Sequence, residues 1–474
     1  MNALEFSHVS VLSNDNSSKL LNDISFTVKE GECVVLCGKS GCGKTTITRL
    51  VNGLIPQFYE SLQKEGTIKI FESEIKDETQ SDLSKMIGTV FQNPKSQFFN
   101  IDTSNELVFG CENLNLSYDE MISRVNDVIT FLSLESLINR NIFELSGGEK
   151  QRIACGSVIA MEPRIVVLDE PTANLDHASI KQLKDVLIKL KNKGFTIIIA
   201  EHRLYWLHGL ADTFLYLKNG EIEQSYTYRE LESQGKNFSQ LGLRLLNISD
   251  NFQRYEEFLN KPKWELYEVN KPKNISDFEI HLENVKISYV KNTVFDISDI
   301  TFKSGTIIGI IGKSGAGKTT FVNTLLGFMK HKGHIKLNQQ IQKSKSLNEQ
   351  GFMVMQDVNH QLFSDTVLNE VQLGNTASKS EAVELLKNLG IEKLQDRHPA
   401  SLSGGEKQRV AISSALLSYK KIIVFDEPTS GLDKQSLDDF CNQVRKISSK
   451  DNIIFIVTHD VEVVFQLVDY VLPI

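Results

Sequence analysis

The chain has 474 residues, enough for two or three domains that each bury a core of their own. Hydrophobic residues make up 41% and charged residues 24%, and the formal net charge of −8 argues against a dedicated nucleic-acid binder. No apolar run reaches membrane-spanning length, the start MNALEFSHVS lacks the basic and apolar regions of a leader, and the six cysteines show no paired CxxC spacing. Reduced thiols in a cytosolic chain fit these facts, and any membrane role is expected to come through partners.

Taken in order, Leu4 to Val28 alternates apolar and polar residues like sheet strands, broken by a polar turn from Ser13 to Lys19. Val34 to Cys37 reads as a buried strand, and Thr46 to Leu54 reads as a helix. Between them stands GKSGCGKTT, in which Gly38, Gly43, Lys44 and Thr45 satisfy G-x-x-x-x-G-K-[ST]. In that strand–loop–helix context the glycines let backbone N–H groups close on phosphate oxygens at the positive end of a helix. Lys44 would reach the β- and γ-phosphates, and the Thr45 hydroxyl would meet Mg²⁺. Met86 to Phe91 predicts a strand leading into FQNPKSQFF, and Asp119 to Leu137 has helical periodicity. Ile165 to Leu168 and Thr196 to Ala200 predict strands buried on both faces of a mostly parallel sheet, and LKNGEI (Leu217 to Ile222) carries an Asn-Gly hairpin signal.

The plan then repeats. GKSGAGKTT returns at Gly312 to Thr320, and LSGGEKQR stands at Leu145 to Arg152 and at Leu402 to Arg409. Ser146 and Ser403 lie 257 residues apart (403 less 146), and His202 and His459 keep that spacing. Upstream the first half carries extra residues between its phosphate loop and its SGGE. The expected organisation is a first domain over 1–225, a partly helical linker over 226–278 with balanced charge, and a second domain over 279–474. The second half shows no hairpin signal like LKNGEI.

Ser146 and Ser403 each begin S-x-x-E, a capping box with Glu149 or Glu406. The glycines that follow, Gly147 and Gly148, Gly404 and Gly405, weaken a helix start unless the backbone must approach something closely. A phosphate at the positive helix end is the natural candidate.

With SGGE added to the phosphate loops, the chain resembles a tandem ATP-binding-cassette ATPase from end to end. That resemblance implies an α/β fold of two P-loop cassettes, each with a mostly parallel sheet, antiparallel strands and a helical subdomain. It implies ATP in contact with Gly38, Lys39, Ser40, Gly41, Cys42, Gly43, Lys44, Thr45 and Thr46 of the first loop. In the second loop the matching residues are Gly312, Lys313, Ser314, Gly315, Ala316, Gly317, Lys318, Thr319 and Thr320. Asp169 and Asp426 would hold Mg²⁺ with Thr45, Thr319, Gln92 and Gln356, the two glutamines also sensing the γ-phosphate. Glu170 and Glu427 would polarise the attacking water, and His202 and His459 would be the switch histidines. Asp176 and Asp433 would link the two sites, and each SGG would meet the ATP held by the opposite half's loop, Lys44 facing Ser403 and Lys318 facing Ser146.

Two departures stand out. The aromatic residue that stacks on adenine in the family matches Tyr289, but Ser13 stands near that place in the first half. Cys42 lies where the second loop has Ala316; a thiol at a helix N-terminus is expected to have a lowered pKa. Alkylation of Cys42 is then expected to inhibit, with MgATP protecting.

After each glutamine the sequences QNPKSQFFNIDTSNELVFG (Gln92 to Gly110) and QDVNHQLFSDTVLNEVQLG (Gln356 to Gly374) share Q-x-x-x-x-Q-[FL]-F, N-E-[LV] and a closing glycine. With EHRL at Glu201 to Leu204, this is similar to the ATPases of energy-coupling-factor importers. The resemblance implies a peripheral motor at the cytoplasmic membrane face, docked through Lys95 to Leu107 and Asn359 to Val371 on a small transmembrane coupling protein. A separate membrane subunit would capture a vitamin, cobalt or nickel. Two other tandem-cassette types compete, a ribosome-associated translation factor and a fused sugar-importer ATPase. The neutral linker lacks the basic arm of the first, and two intact sites argue against the second.

Overall fold

The computed structural model describes residues 1–13, 19–173, 175–234, 241–244, 246, 249–272, 275–289, 292–374, 377–402, 404–448 and 451–474. These form two compact units, one of Met1–Ile248 with Gly431–Gln435 and one of Ser249–Ser430 with Ser436–Ile474.

In the first unit, β1 (Asn2–Ser13), β2 (Lys19–Lys29), β4 (Leu62–Ile70) and β5 (Ser73–Glu74) make an antiparallel sheet in the order β2-β1-β4-β5. A six-stranded sheet runs β10-β9-β3-β8-β7-β6. Its members are β3 (Cys33–Gly38), β6 (Ile87–Val90), β7 (Ile165–Asp169), β8 (Thr196–Ala200), β9 (Thr213–Lys218) and β10 (Glu221–Tyr226). All its pairings are parallel except β9–β10, the predicted hairpin, where Asn219 and Gly220 both take positive φ.

The apolar strand runs explain why this sheet is covered on both faces. Successive side chains of a strand point to opposite sides. Val34 and Leu36 enter a core shared with the antiparallel sheet and the helix Lys44–Val51. Cys33, Val35 and Cys37 enter the other core, under the helices Thr103–Asn113, Tyr118–Leu132, Gly147–Ile159 and His177–Asn192. β7 and β8 divide their residues between the same two cores.

Some boundaries differ from the sequence expectation. The helix after the phosphate loop starts at Lys44 and stops at Val51, and Met86 ends a helix rather than starting β6. The helix expected from Asp119 to Leu137 ends at Leu132, because Ser133 turns left-handed at φ 54.

The second unit repeats the plan. β12 (Glu279–Tyr289), β13 (Asn292–Lys303), β15 (Lys332–Leu337) and β16 (Gln340–Ile341) form the antiparallel sheet. The other sheet runs β11-β20-β14-β19-β18-β17, from β11 (Tyr267–Glu268), β14 (Ile307–Ile311), β17 (Gly351–Val354), β18 (Ile422–Asp426), β19 (Ile453–Val457) and β20 (Tyr470–Pro473). The segment expected as a linker is divided between the units. Tyr226, Leu231, Leu243 and Leu246 belong to a first-unit core, whereas β11 pairs antiparallel with β20 at the edge of the second unit's sheet.

Candidate functional site

In the first unit β3, β8, β7 and β6 are adjacent and parallel, so the chain leaves all four at one edge. Ligands of open α/β sheets bind at that carboxyl edge. From β3 comes the phosphate loop, from β8 His202, from β7 the pair Asp169–Glu170, and from β6 Gln92. Gly43 caps the helix Lys44–Val51 at φ 108, and a side chain there would overlap Leu21. Lys44 Nζ donates to the Gly38 and Lys39 carbonyls, each at 3.1 Å, and Thr45 Oγ1 donates to Asp169 Oδ1 at 3.4 Å.

Glu170 sits on a left-handed turn, φ 44, with its N–H bonded to Ala200 O at 2.8 Å. That turn, uncommon for a non-glycine residue, swings the carboxylate off the end of β7. His202 Nε2 lies 3.0 Å from Glu170 Oε1, and Gln92 Nε2 donates to Glu170 Oε2 at 2.8 Å. Burial opposes ionisation of Glu170, but the hydrogen bond and charge of His202, with Lys44 and Arg203, outweigh it and hold the carboxyl below its ordinary value. Asp169 goes the other way, pushed up to about 6 by burial and by the neighbouring Glu170 charge.

The second unit matches closely. Lys318 Nζ donates to Gly312 O at 2.8 Å and Lys313 O at 3.0 Å, and Thr319 Oγ1 donates to Asp426 Oδ2 at 3.2 Å. Glu427 again has a left-handed φ, 48°, with its N–H bonded to Val457 O at 2.9 Å. His459 Nδ1 lies 3.1 Å from Glu427 Oε1. Burial raises the Asp426 carboxyl, opposed by Thr319 and Lys318. Gln356 follows β17 and is exposed.

A hydroxyl and a carboxylate meeting beside a phosphate loop are hard oxygen donors of the kind Mg²⁺ takes. The raised Asp169 carboxyl marks a buried acid whose ionised form a cation would favour. Thr45 with Asp169, and Thr319 with Asp426, therefore fit the metal. Gln92 is bonded to Glu170 rather than to that pair.

Ser146 is the expected cap: its side chain accepts from Glu149 N, and the Glu149 carboxylate accepts from Ser146 N. Gly148 has a reason inside the fold, since a Cβ there would overlap Ser179 Oγ. Among the described residues no such neighbour stands within 4 Å of Gly404, and Gly405 meets Arg409 at 3.9 Å. Ser403 lies outside the described residues, as does the side chain of Tyr289. Asp176 caps the helix His177–Asn192 through Ser179 N at 2.9 Å. Asp433 falls within the first unit, where its Oδ2 accepts from Ser40 N at 2.6 Å. The lowered thiol expected at Cys42 is overturned: the side chain is buried, and desolvation raises its pKa against the opposing Lys44 charge.

Sequence reasoning missed two features here. Thr172 Oγ1 donates to Glu201 Oε2 at 2.6 Å, and Thr429 Oγ1 donates to Asp460 Oδ2 at 3.0 Å, all four residues being buried. The shared threonine of DEPT was a visible signal, but the acids occupy different places in the repeat. The second feature is the N-E-[LV] glutamate. Glu106 Oε2 accepts from Phe99 N at 3.1 Å and Asn100 N at 2.9 Å, and Glu370 Oε2 accepts from Phe363 N at 2.8 Å and Ser364 N at 2.7 Å. Each buried carboxylate fixes a loop whose first apolar residue, Phe98 or Leu362, packs inward. The next, Phe99 or Phe363, is 77% or 74% exposed.

A family model described as ABC transporter matches residues 21–173 and 295–430. A Treponema denticola protein, "Putative ABC transporter ATP-binding protein", is 42% identical over 475 residues, covering 98% of this chain and 94% of its own. The Bacillus subtilis "Putative HMP/thiamine import ATP-binding protein YkoD" is 31% identical over 478 residues, covering 97% of this chain and 87% of its own. Among solved structures, one titled RNase-L Inhibitor aligns at TM-score 0.62 and 23% identity, over 98% of this chain and 87% of its own, a likeness of fold alone. cbiO1 from Clostridium perfringens, described as part of the ABC transporter complex cbiONQ, aligns at TM-score 0.46 and 27% identity, over 53% of this chain and 99% of its own.

Proposed function

We propose that this chain, which belongs to the ABC transporter family as an ATP-binding protein, is the motor of an energy-coupling-factor-type importer of a vitamin or metal ion. It is an ATPase of the two-cassette kind; ABC transporter ATPases use Mg²⁺ and work with membrane subunits. Among the described residues no helix is long and apolar enough to cross a membrane. The observation that carries the finer reading is the kinship with YkoD, whose printed name concerns HMP/thiamine import and which matches both halves and the segment between them.

The exposed Phe99 and Phe363 support it. Exposed phenylalanines at matching positions, on loops fixed by buried glutamates, suit docking on an apolar helix of a coupling protein. Capture of the solute falls to a separate membrane subunit in this reading.

In the chemistry we propose, Lys44 and Lys318 lie against the β- and γ-phosphates, and the loop N–H groups cradle them. Glu170 and Glu427 orient the attacking water and draw its proton, the general-base role of a carboxylate, and His202 helps hold the Glu170 carboxyl below its ordinary value. His202 and His459 hold those carboxylates and face the γ-phosphate. Thr45 with Asp169, and Thr319 with Asp426, would hold Mg²⁺, which neutralises phosphate charge. Each ATP is completed by the SGG of the opposite half, so that ATP draws the halves together and hydrolysis releases them.

Affinity purification from gently solubilised membranes tests this reading. The expected result is co-recovery of one or more small multi-span membrane proteins. Recovery of ribosomes without membrane proteins would leave the ATPase standing and remove the importer.

A further inference from the structure

The two halves hold the turn after DEP in different ways. In the first, Glu201 precedes the histidine: its Oε2 accepts from Thr172 Oγ1 at 2.6 Å, and its Oε1 accepts from the His202 and Arg203 N–H groups at 2.8 and 3.1 Å. Arg203, also buried, donates through Nη1 to Thr172 O at 3.3 Å. In the second half the position matching Glu201 is Thr458, and the position matching Arg203 is Asp460. There the acid follows the histidine, yet its Oδ2 reaches the equivalent hydroxyl, Thr429 Oγ1, at 3.0 Å. Asp460 N donates to Thr458 Oγ1 at 2.9 Å, and Asp460 Oδ1 accepts from Glu462 N at 3.2 Å.

We propose that Glu201 and Asp460 are positioning residues that clasp the turn carrying the catalytic glutamate to the strand end carrying its histidine. The turn needs such a clasp. Glu170 and Glu427 hold left-handed backbone conformations, and the histidines that meet their carboxylates come from separate strands. A buried carboxylate that receives a hydroxyl and backbone N–H groups is a strong, directional link, because its ionic oxygens strengthen each bond and every bond lies out of water. One link joins residue 172, two positions after Glu170, to the backbone of His202 itself. In the second half the link runs from Thr429 to the residue next to His459. The acid has changed its place in the sequence while its carboxylate meets the same hydroxyl. Packing alone would not demand that convergence; a required distance between the glutamate turn and the histidine does.

The test uses the full chain, steady-state hydrolysis of MgATP and thermal midpoints. T172V/T429V removes only the two hydroxyls at nearly constant volume. We expect kcat to fall about tenfold while KM for MgATP moves less than about twofold, as for loss of alignment rather than of binding. E201T should behave likewise, and the transposed variant E201T/R203D, which rebuilds the second half's arrangement in the first, should return to within about threefold of the parent rate. Unchanged kcat in T172V/T429V would overturn the proposal. So would a transposed variant no faster than E201T, or losses that follow lowered midpoints in every variant, the transposed one included.

Discussion

The two halves reach the same local architecture with different pieces of chain. At one edge of the first unit's large sheet, β10 arrives through the Asn-Gly hairpin after β9. In the second unit the matching edge, beside β20, is taken by β11, a two-residue strand from before the repeat begins. The acid that grips the DEPT threonine shows the same pattern, arriving from before the histidine in one half and from after it in the other. By contrast, the residues assigned to chemistry differ little: lysine, threonine, aspartate, glutamate and histidine all recur at their places. The difference teaches where the constraint lies. The lysine, threonine, aspartate, glutamate and histidine proposed for the chemistry keep both position and identity, whereas the supporting acid only brings its carboxylate to the same hydroxyl.

The sharpest way to break that comparison is to remove the proposed base from each half. Glu170→Gln and Glu427→Gln together are expected to lower turnover by about a hundredfold or more, read as phosphate release. Each single variant should also lose activity. A single variant with parental turnover would show that its half does not use that carboxylate.

A smaller effect separates the two SGG helices. Gly148→Ala places a methyl where Ser179 Oγ stands, whereas among the described residues Gly405→Ala meets nothing nearer than Arg409 at 3.9 Å. The first substitution should cost about 1–3 kcal/mol of stability through overpacking, and the second about 0.5 kcal/mol or less, by denaturant midpoint. Equal midpoints would mean that the helix Gly147–Ile159 is not packed against Ser179 in the way described.

The smallest effect concerns Cys42, which has Ala316 as its counterpart. Because burial raises this thiol, the thiolate is scarce below its raised pKa and grows as pH rises toward it. Alkylation should therefore be slow at neutral pH, quicken with each step in pH, and slow again when MgATP is present. Fast labelling that is flat across neutral pH would contradict the burial argument.

Much of this was legible in the sequence, for physical reasons. The central strands β7, β8, β18 and β19 are apolar runs rich in β-branched residues, as burial on both faces requires, and the repeat aligned the site residues without any geometry. Where sequence reading failed, tertiary context decided. The place of Cys42 near a helix N-terminus favours a lowered thiol, but the apolar packing around it outweighs that field. The segment over 226–278 looked like a neutral connector because its buried Leu231, Leu243 and Leu246 are spaced too irregularly to show a period. Glu201 and Asp460 were invisible as a pair because repeat alignment compares positions, and these two share none.

Whether both halves supply a phosphate loop, a base and a histidine that work in hydrolysis is tested by the nucleotide retained by the Glu170→Gln/Glu427→Gln chain. The protein is incubated with MgATP, desalted rapidly, and its bound nucleotide extracted and counted. The expected result is unhydrolysed ATP held by both halves of every chain. Retention by one half only, or recovery of ADP in place of ATP, would contradict it.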